Sequence, residues 1–331
     1  MRLRRLGATS VAAVIALTLG SVALTGCGNS DDSASSDQFT IGAAIIVSHP
    51  ALEAVVAGFE EVLKEEGVKY KLISKNAQGD QANAATIAST FASNKDIDLI
   101  LAVSTPIATT MAAAEKDRPI LFAAVTDPVG DKLVPSWDKA GPNITGASDL
   151  PPEAKPVSLV QEAMPDVANV GVLYSSSESN SLAQVEAFEA EAKELGIKIT
   201  KQGITGPNEV SAGLDALAGV DAILIPTDNT VVAAIASVIQ FGQENKIPVF
   251  CADNSTVELG TVATRGLSYH NQGRRVGEMA VAILRDGKTV ADFKPEKPTE
   301  TELLVNPDAA KKFGLTLPEA LVAQGTVVET K

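Results

Sequence analysis

The 331 residues carry 45% hydrophobic and 21% charged side chains, the balance of an ordinary globular protein long enough for two cores. Forty-one acids against 27 bases give a formal charge of −14, which argues against nucleic acid and anionic membrane surfaces as direct partners.

The first 26 residues read as a leader. Arg2, Arg4 and Arg5 form a basic n-region, and Val11–Leu24 is an apolar run too short for a comfortable membrane span. It ends in Leu24-Thr25-Gly26-Cys27, which resembles the bacterial lipobox, whose cysteine is lipidated (diacylglyceryl plus palmitate) and becomes the first mature residue. The alternative is an ordinary signal peptide with an incidental cysteine. More than one acyl chain on Cys27 makes a stable anchor where one alone binds only marginally. Loss of this basic leader takes the formal charge to about −17. Gly28–Gln38, rich in Ser and Asp, reads as a flexible tether. Cys251 is then the one cysteine not lipidated, so no intramolecular disulfide is expected. A small buried hydrophobe is its expected role, with nucleophile as the alternative.

From Phe39 onward the same unit recurs: a short apolar strand running into a polar loop. Phe39–Val47 ends at Ser48-His49-Pro50, and Ile97–Val103 at Ser104-Thr105-Pro106. A helix is predicted over Ile107–Lys116, and Pro119–Val125 then ends at Thr126-Asp127-Pro128. Gly141 through Pro152, rich in Gly, Pro and small polar residues, reads as a connector. Val170–Tyr174 ends at Ser175–Glu178, Val220–Pro226 at Thr227-Asp228-Asn229, and Ile247–Ala252 at Asp253-Asn254-Ser255. Strands at Val262–Leu267 and Glu300–Val305 flank a helix at Gln272–Arg285, and a last helix runs from Pro307 to Phe313. Short Val/Ile/Leu runs of this kind are buried parallel strands, whose carboxyl ends border the ligand crevice of open α/β sheets. Hydroxyl and acid residues at such ends either cap the next helix or line a cleft.

A shift of 129 residues superimposes two halves: Gly42 on Gly171, Ser48 on Ser177, Phe59-Glu60 on Phe188-Glu189, Lys64-Glu65 on Lys193-Glu194, Gly67 on Gly196 and Lys69 on Lys198. The expected fold is therefore α/β, with two similar Rossmann-like lobes on parallel sheets, joined by a three-crossover hinge with a ligand cleft between them. The first lobe is assigned 39–147 plus 262–289, and the second 148–261 plus 290–331.

Several stretches carry a family resemblance: His49-Pro50-Ala51-Leu52-Glu53-Ala54, Asn76-Ala77-Gln78-Gly79-Asp80-Gln81, Ala124-Val125-Thr126-Asp127-Pro128-Val129, Gly171-Val172-Leu173-Tyr174 with Glu178, Asn180 and Ser181, and Pro226-Thr227-Asp228-Asn229-Thr230. With the lipobox, they resemble the substrate-binding lipoproteins of tryptophan/tyrosine-type ABC transporters, of the type I periplasmic-binding-protein fold. Cys251-Ala252-Asp253-Asn254 and Ser268-Tyr269-His270-Asn271 depart from that family's usual strings. The resemblance implies an exported protein, lipid-anchored at the outer face of the cytoplasmic membrane, that captures an amino acid, aromatic by preference. Lobe closure would be followed by delivery to a permease and its ATPase. Sensing for a membrane receptor, or import of a nucleoside or other small solute, are the alternatives. A monomer with no cofactor, no metal and no nucleic-acid partner is expected.

An amino acid needs donors for its carboxylate and an acid for its ammonium. Ser104, Thr105 and Thr126 are the carboxylate candidates, with Ser177, Asn180 and Ser181 closing from the second lobe. Asp228 is the first choice for the ammonium, then Asp127 and Asp253. Ser48, His49, Glu178, Asn229 and Tyr269 complete the candidate site. Only two histidines occur, 221 residues apart, so a histidine metal centre is not expected. No phosphate loop, HExxH or G-x-S-x-G string occurs, and Gly266-Leu267-Ser268-Tyr269-His270 fails at its last position. Catalysis is accordingly not expected.

Overall fold

The computed structural model describes residues 38–151 and 155–331. The leader, the Cys27 lipidation site and the tether up to residue 37 lie outside the described residues. Among the described residues no helix is long and apolar enough to cross a membrane.

The first lobe opens with β1 (Phe39–Ile45), α1 (Pro50–Glu65), β2 (Tyr70–Asn76), α2 (Gln81–Ser93), β3 (Leu99–Val103), α3 (Thr105–Ala114), β4 (Ile120–Val125) and β5 (Ile144–Ser148). Its five strands are all parallel, in the order β2-β1-β3-β4-β5. β3 and β4 are central and wholly buried, which is why their sequences are unbroken apolar runs without alternation.

The second lobe holds α4 (Pro156–Ala163), β6 (Asn169–Ser175), α5 (Ser179–Leu195), β7 (Lys198–Ile204), α6 (Val210–Asp215), β8 (Ala222–Ile225), α7 (Asn229–Ala233), α8 (Ile235–Asn245) and β9 (Val249–Cys251). Its sheet runs β7-β6-β8-β9, the order of the first four strands of lobe one. The duplication seen in the sequence is therefore a duplication of structure. Phe59 and Phe188 are both buried at matching places on α1 and α5, and both helices end at a left-handed glycine, Gly67 (φ 66°) and Gly196 (φ 71°).

β10 (Ala263–Gly266) leads back to the first lobe, where α9 (Tyr269–Leu284) packs against α1. Glycines let these helices touch along their backbones. A Cβ at Gly58 would stand 2.1 Å from the His270 carbonyl oxygen, and one at Gly273 would stand 2.0 Å from that of Val55. β11 (Glu302–Val305), α10 (Pro307–Lys312), α11 (Glu319–Gln324) and β12 (Thr326–Val327) follow. β10 and β11 pair antiparallel, and β12 adds parallel to β11.

Three boundaries differ from the sequence reading. Ile144–Ser148, read as connector, is the fifth strand of the first sheet and is buried throughout. Val262 and Ala263, assigned to lobe one, pack into the second core, and the Val262 amide donates to the Val249 carbonyl at 2.8 Å. The return to the first core begins at Leu267 and Tyr269. Residues 290–296, assigned to lobe two, stay with lobe one: Phe293 packs on the first core, and Glu296 exchanges backbone bonds with Gly146 and Ser148. The last two differences have one cause: apolar segments beside a crossover carry no local mark of which core receives them.

Candidate functional site

Strand ends from both lobes converge on one narrow cavity. Lobe one contributes His49 and Leu52 from the start of α1 and Ala124 from the end of β4. Lobe two contributes Asn180 from α5, Thr227, Asp228, Asn229 and Val232 around the start of α7, and Asp253 after β9. Asp149, just past β5, and Tyr269, at the start of α9, stand where the chain crosses between lobes. A larger recess opens at the hinge between Ala147, Gly266–Ser268 and Glu296–Glu302. Chemistry favours the smaller one. Of the buried polar side-chain atoms without a partner, His49 Nδ1, Asp149 Oδ1 and Asn180 Oδ1 belong to residues that line it. Unpaired buried polar atoms are costly, and three around one cavity mark a place built to receive polar groups.

The lobes touch across this cavity. His49 Nε2 lies 3.3 Å from Asn229 Oδ1, and Nδ1 lies 4.0 Å from Asp253 Oδ2. Thr126 Oγ1 is 3.5 Å from Thr227 Oγ1, and Gln184 Nε2 donates to both hydroxyls. The Thr227 amide returns a bond to Gln184 Oε1 at 3.0 Å, so Gln184 fixes Thr227 and reaches across to lobe one.

The site is short of positive charge. Asp149, Asp228 and Asp253 are buried in it, Glu178 stands behind Asn229, and among the described residues neither Lys nor Arg lines the cavity. Burial pushes the Asp149 carboxyl up to about 6; the Thr126 and Tyr269 hydroxyls oppose this and the charge of Asp253 adds to it. Burial likewise raises Asp228, with the Glu178 charge adding to it, and raises Asp253, where His49 acts in the opposite direction. Tyr269 donates its hydroxyl to Asp149 Oδ2 at 3.3 Å, and its own pKa is raised by burial and by that acid.

Of the residues singled out from sequence, His49, Asn180, Asp228, Asn229, Asp253 and Tyr269 line the cavity. Asp228 is not a free acceptor. It takes the Val231 amide as the N-cap of α7, the Ser175 amide at 2.5 Å and the Ser181 hydroxyl at 2.6 Å. Glu178 is also occupied within its own lobe, binding the Asn229 and Thr230 amides and the Thr230 hydroxyl. Ser181 is buried as the partner of Asp228. Thr105 and Thr126 are buried together, the Thr105 hydroxyl accepting from the Thr126 amide at 3.4 Å. Ser104 is buried beside them with its hydroxyl unpaired.

Three candidates lie off this cavity. Ser48 is exposed and turns its hydroxyl to Glu53; Ser177 is exposed and bonds Ser175 at 2.8 Å; Asp127 closes its own turn by accepting the Gly130 amide at 2.9 Å. Each satisfies its neighbours in the loop, the capping alternative that strand-end residues always carry. Asp149, Thr227 and Gln184 were not singled out. Asp149 follows the strand hidden in a Gly- and Pro-rich stretch, so its place at a strand end was masked.

A match to the family described as ABC transporter substrate binding protein spans residues 40–329. The chain belongs to that family. A tyrosine-binding protein of Clostridioides difficile is 36% identical over 316 residues, 91% of each chain. A Streptococcus pneumoniae structure in complex with L-Trp is 34% identical, with a TM-score of 0.83 over 88% of this chain and 100% of that one. A ligand-free, open substrate-binding protein with adhesive properties from Clostridium difficile is 39% identical over the same shares, with a TM-score of 0.64. The better fit to the complex, despite lower identity, agrees with lobes that touch across the cavity. This ABC transporter substrate-binding protein is therefore described in a closed arrangement of the type I periplasmic-binding-protein fold.

Proposed function

We propose that this substrate-binding protein captures an aromatic amino acid between its lobes. The observation that carries the reading is the cavity itself: three buried aspartates, no lysine or arginine among the described residues, and unpaired acceptors at Asp149 Oδ1 and Asn180 Oδ1. Such a site is complementary to an ammonium group. Asp149 takes the place first given to Asp228, because it is the cavity acid with an oxygen to spare. Ser104 and Thr105, at the start of α3, and Thr126 offer hydroxyls to the carboxylate, and Leu52, Val232 and Tyr269 offer surface to the ring. The tyrosine-binding relative and the L-Trp complex support the aromatic preference. Export and lipid anchoring at Cys27, monomeric action, and delivery to a permease with its ATPase complete the proposal.

The test is thermal unfolding of the protein from Gly28 onward against the twenty amino acids, nucleosides and sugars. A ligand at about 100 times its Kd adds roughly 2.7 kcal/mol of stability. A rise in Tm confined to Trp, Tyr or Phe is expected; a response to sugars or nucleosides alone overturns the amino-acid reading.

A further inference from the structure

We propose that Gln272, which lies outside the ligand cavity, is a positioning residue that sets the lobe-one wall of that cavity. The inference rests on the amino-acid reading of the site. β4 and β5 do not pair evenly. Phe122 faces Gly146 and Val125 faces Ser148, so three steps on β4 are matched by two on β5. The extra residue makes a β-bulge, and at its centre Ala124 adopts a left-handed backbone with φ 52°. The opposing strand has to be glycine there, because a Cβ at Gly146 would stand 1.9 Å from the Phe122 carbonyl oxygen.

A left-handed alanine is unfavourable on its own, and the bulge turns its amide out of the ladder. Gln272, in the first turn of α9 and buried, takes that amide: Ala124 N–H donates to Gln272 Oε1 at 2.9 Å, across 148 residues of sequence. One extra residue inverts the alternation of side chains beyond it. Two residues on stands Thr126, its hydroxyl 3.5 Å from that of Thr227 in lobe two. Ala124 itself lines the cavity. The amide-to-Gln272 bond thus fixes both the wall at Ala124 and the direction of Thr126.

Isothermal calorimetry with L-Trp and L-Tyr, together with hydrogen exchange of the ligand-free protein, tests this on Gln272→Met, which keeps length and loses the acceptor. The milder Gln272→Asn retracts the acceptor by one methylene should the first variant fold poorly. Kd is expected to rise roughly tenfold and the Ala124 amide to lose its protection. Ala124→Gly, which accepts φ above zero without strain, is expected to recover at least about threefold of the affinity lost in Gln272→Met when the two are combined. A Kd within twofold of wild type in both Gln272 variants, or no recovery by glycine, overturns the proposal. A wild type that binds neither amino acid overturns the ligand reading instead. Exchange at Ala124 then still decides the role of Gln272: retained protection in the variants refutes it.

Discussion

Replacing Asp149 by Asn should make the ligand-free protein more stable while removing its ligand. Asp149 is buried, one of its oxygens has no partner, and Asp253 repels it, so its pKa stands near 6 against 3.8 for a free aspartate. Between those values the folded state holds a proton that the unfolded chain has released, so the stability contributed by this group falls as pH rises through the window and stays low above it. Each pH unit is worth about 1.36 kcal/mol, which makes ionised Asp149 a burden of about 3 kcal/mol at pH 8. Asparagine keeps the shape and the acceptor for Tyr269 and carries no charge. The variant should therefore melt roughly 5 °C above wild type at pH 8, with the gap closing toward pH 4. Calorimetric unfolding at pH 4, 6 and 8, with L-Trp titrations at pH 8, measures both effects. A variant less stable than wild type at pH 8, or a gap that does not change with pH, would refute the argument. Retained affinity would remove Asp149 from the ammonium site.

Wild-type affinity should itself depend on acid. A ligand ammonium favours ionised Asp149, so Kd measured by calorimetry should be flat above about pH 7 and rise by up to about tenfold per unit below about pH 6. A flat profile to pH 4.5 would show that another group holds the ammonium. Asp228→Ala should act on stability with the opposite sign to Asp149→Asn. It strands the Ser175 and Val231 amides and the Ser181 hydroxyl, so ligand-free stability should fall by about 3 kcal/mol. An unchanged Tm would mean that water replaces the carboxylate at no cost.

The two-lobed architecture was legible because buried parallel strands such as Leu99–Val103 and Ile120–Val125 leave unbroken apolar runs, and because the duplication repeats glycines and aromatics in register. Ile144–Ser148 does not read as a strand for a physical reason: its centre is Gly146, demanded by the bulge opposite, and Ala147 and Ser148 after it are small. Missing that strand hid Asp149, the residue on which the electrostatics of the cavity turn. Ser48 and Ser177 show the reverse. The repeat aligns them correctly, yet both are exposed, since equivalence in the fold says nothing about which loop residues face inward. Asp228 lines the cavity, but its bonds could not be read from the sequence, because its partners Ser175 and Ser181 come from β6 and α5, about 50 residues away.

The antiparallel pairing of β10 with β11 bears on how the lobes can move. These strands lie at the mouths of two of the three crossings, on either side of the α9 excursion, and four residue pairs from Ala263–Val305 to Gly266–Glu302 lace them together. Where those two crossings enter the second lobe they move as one ribbon, so a swing about a common axis is allowed and sliding or twisting between them is resisted. Such lacing favours one angular coordinate of lobe motion over others. Less orientational freedom then has to be frozen when the lobes shut, which lowers what ligand contacts must supply to hold them closed.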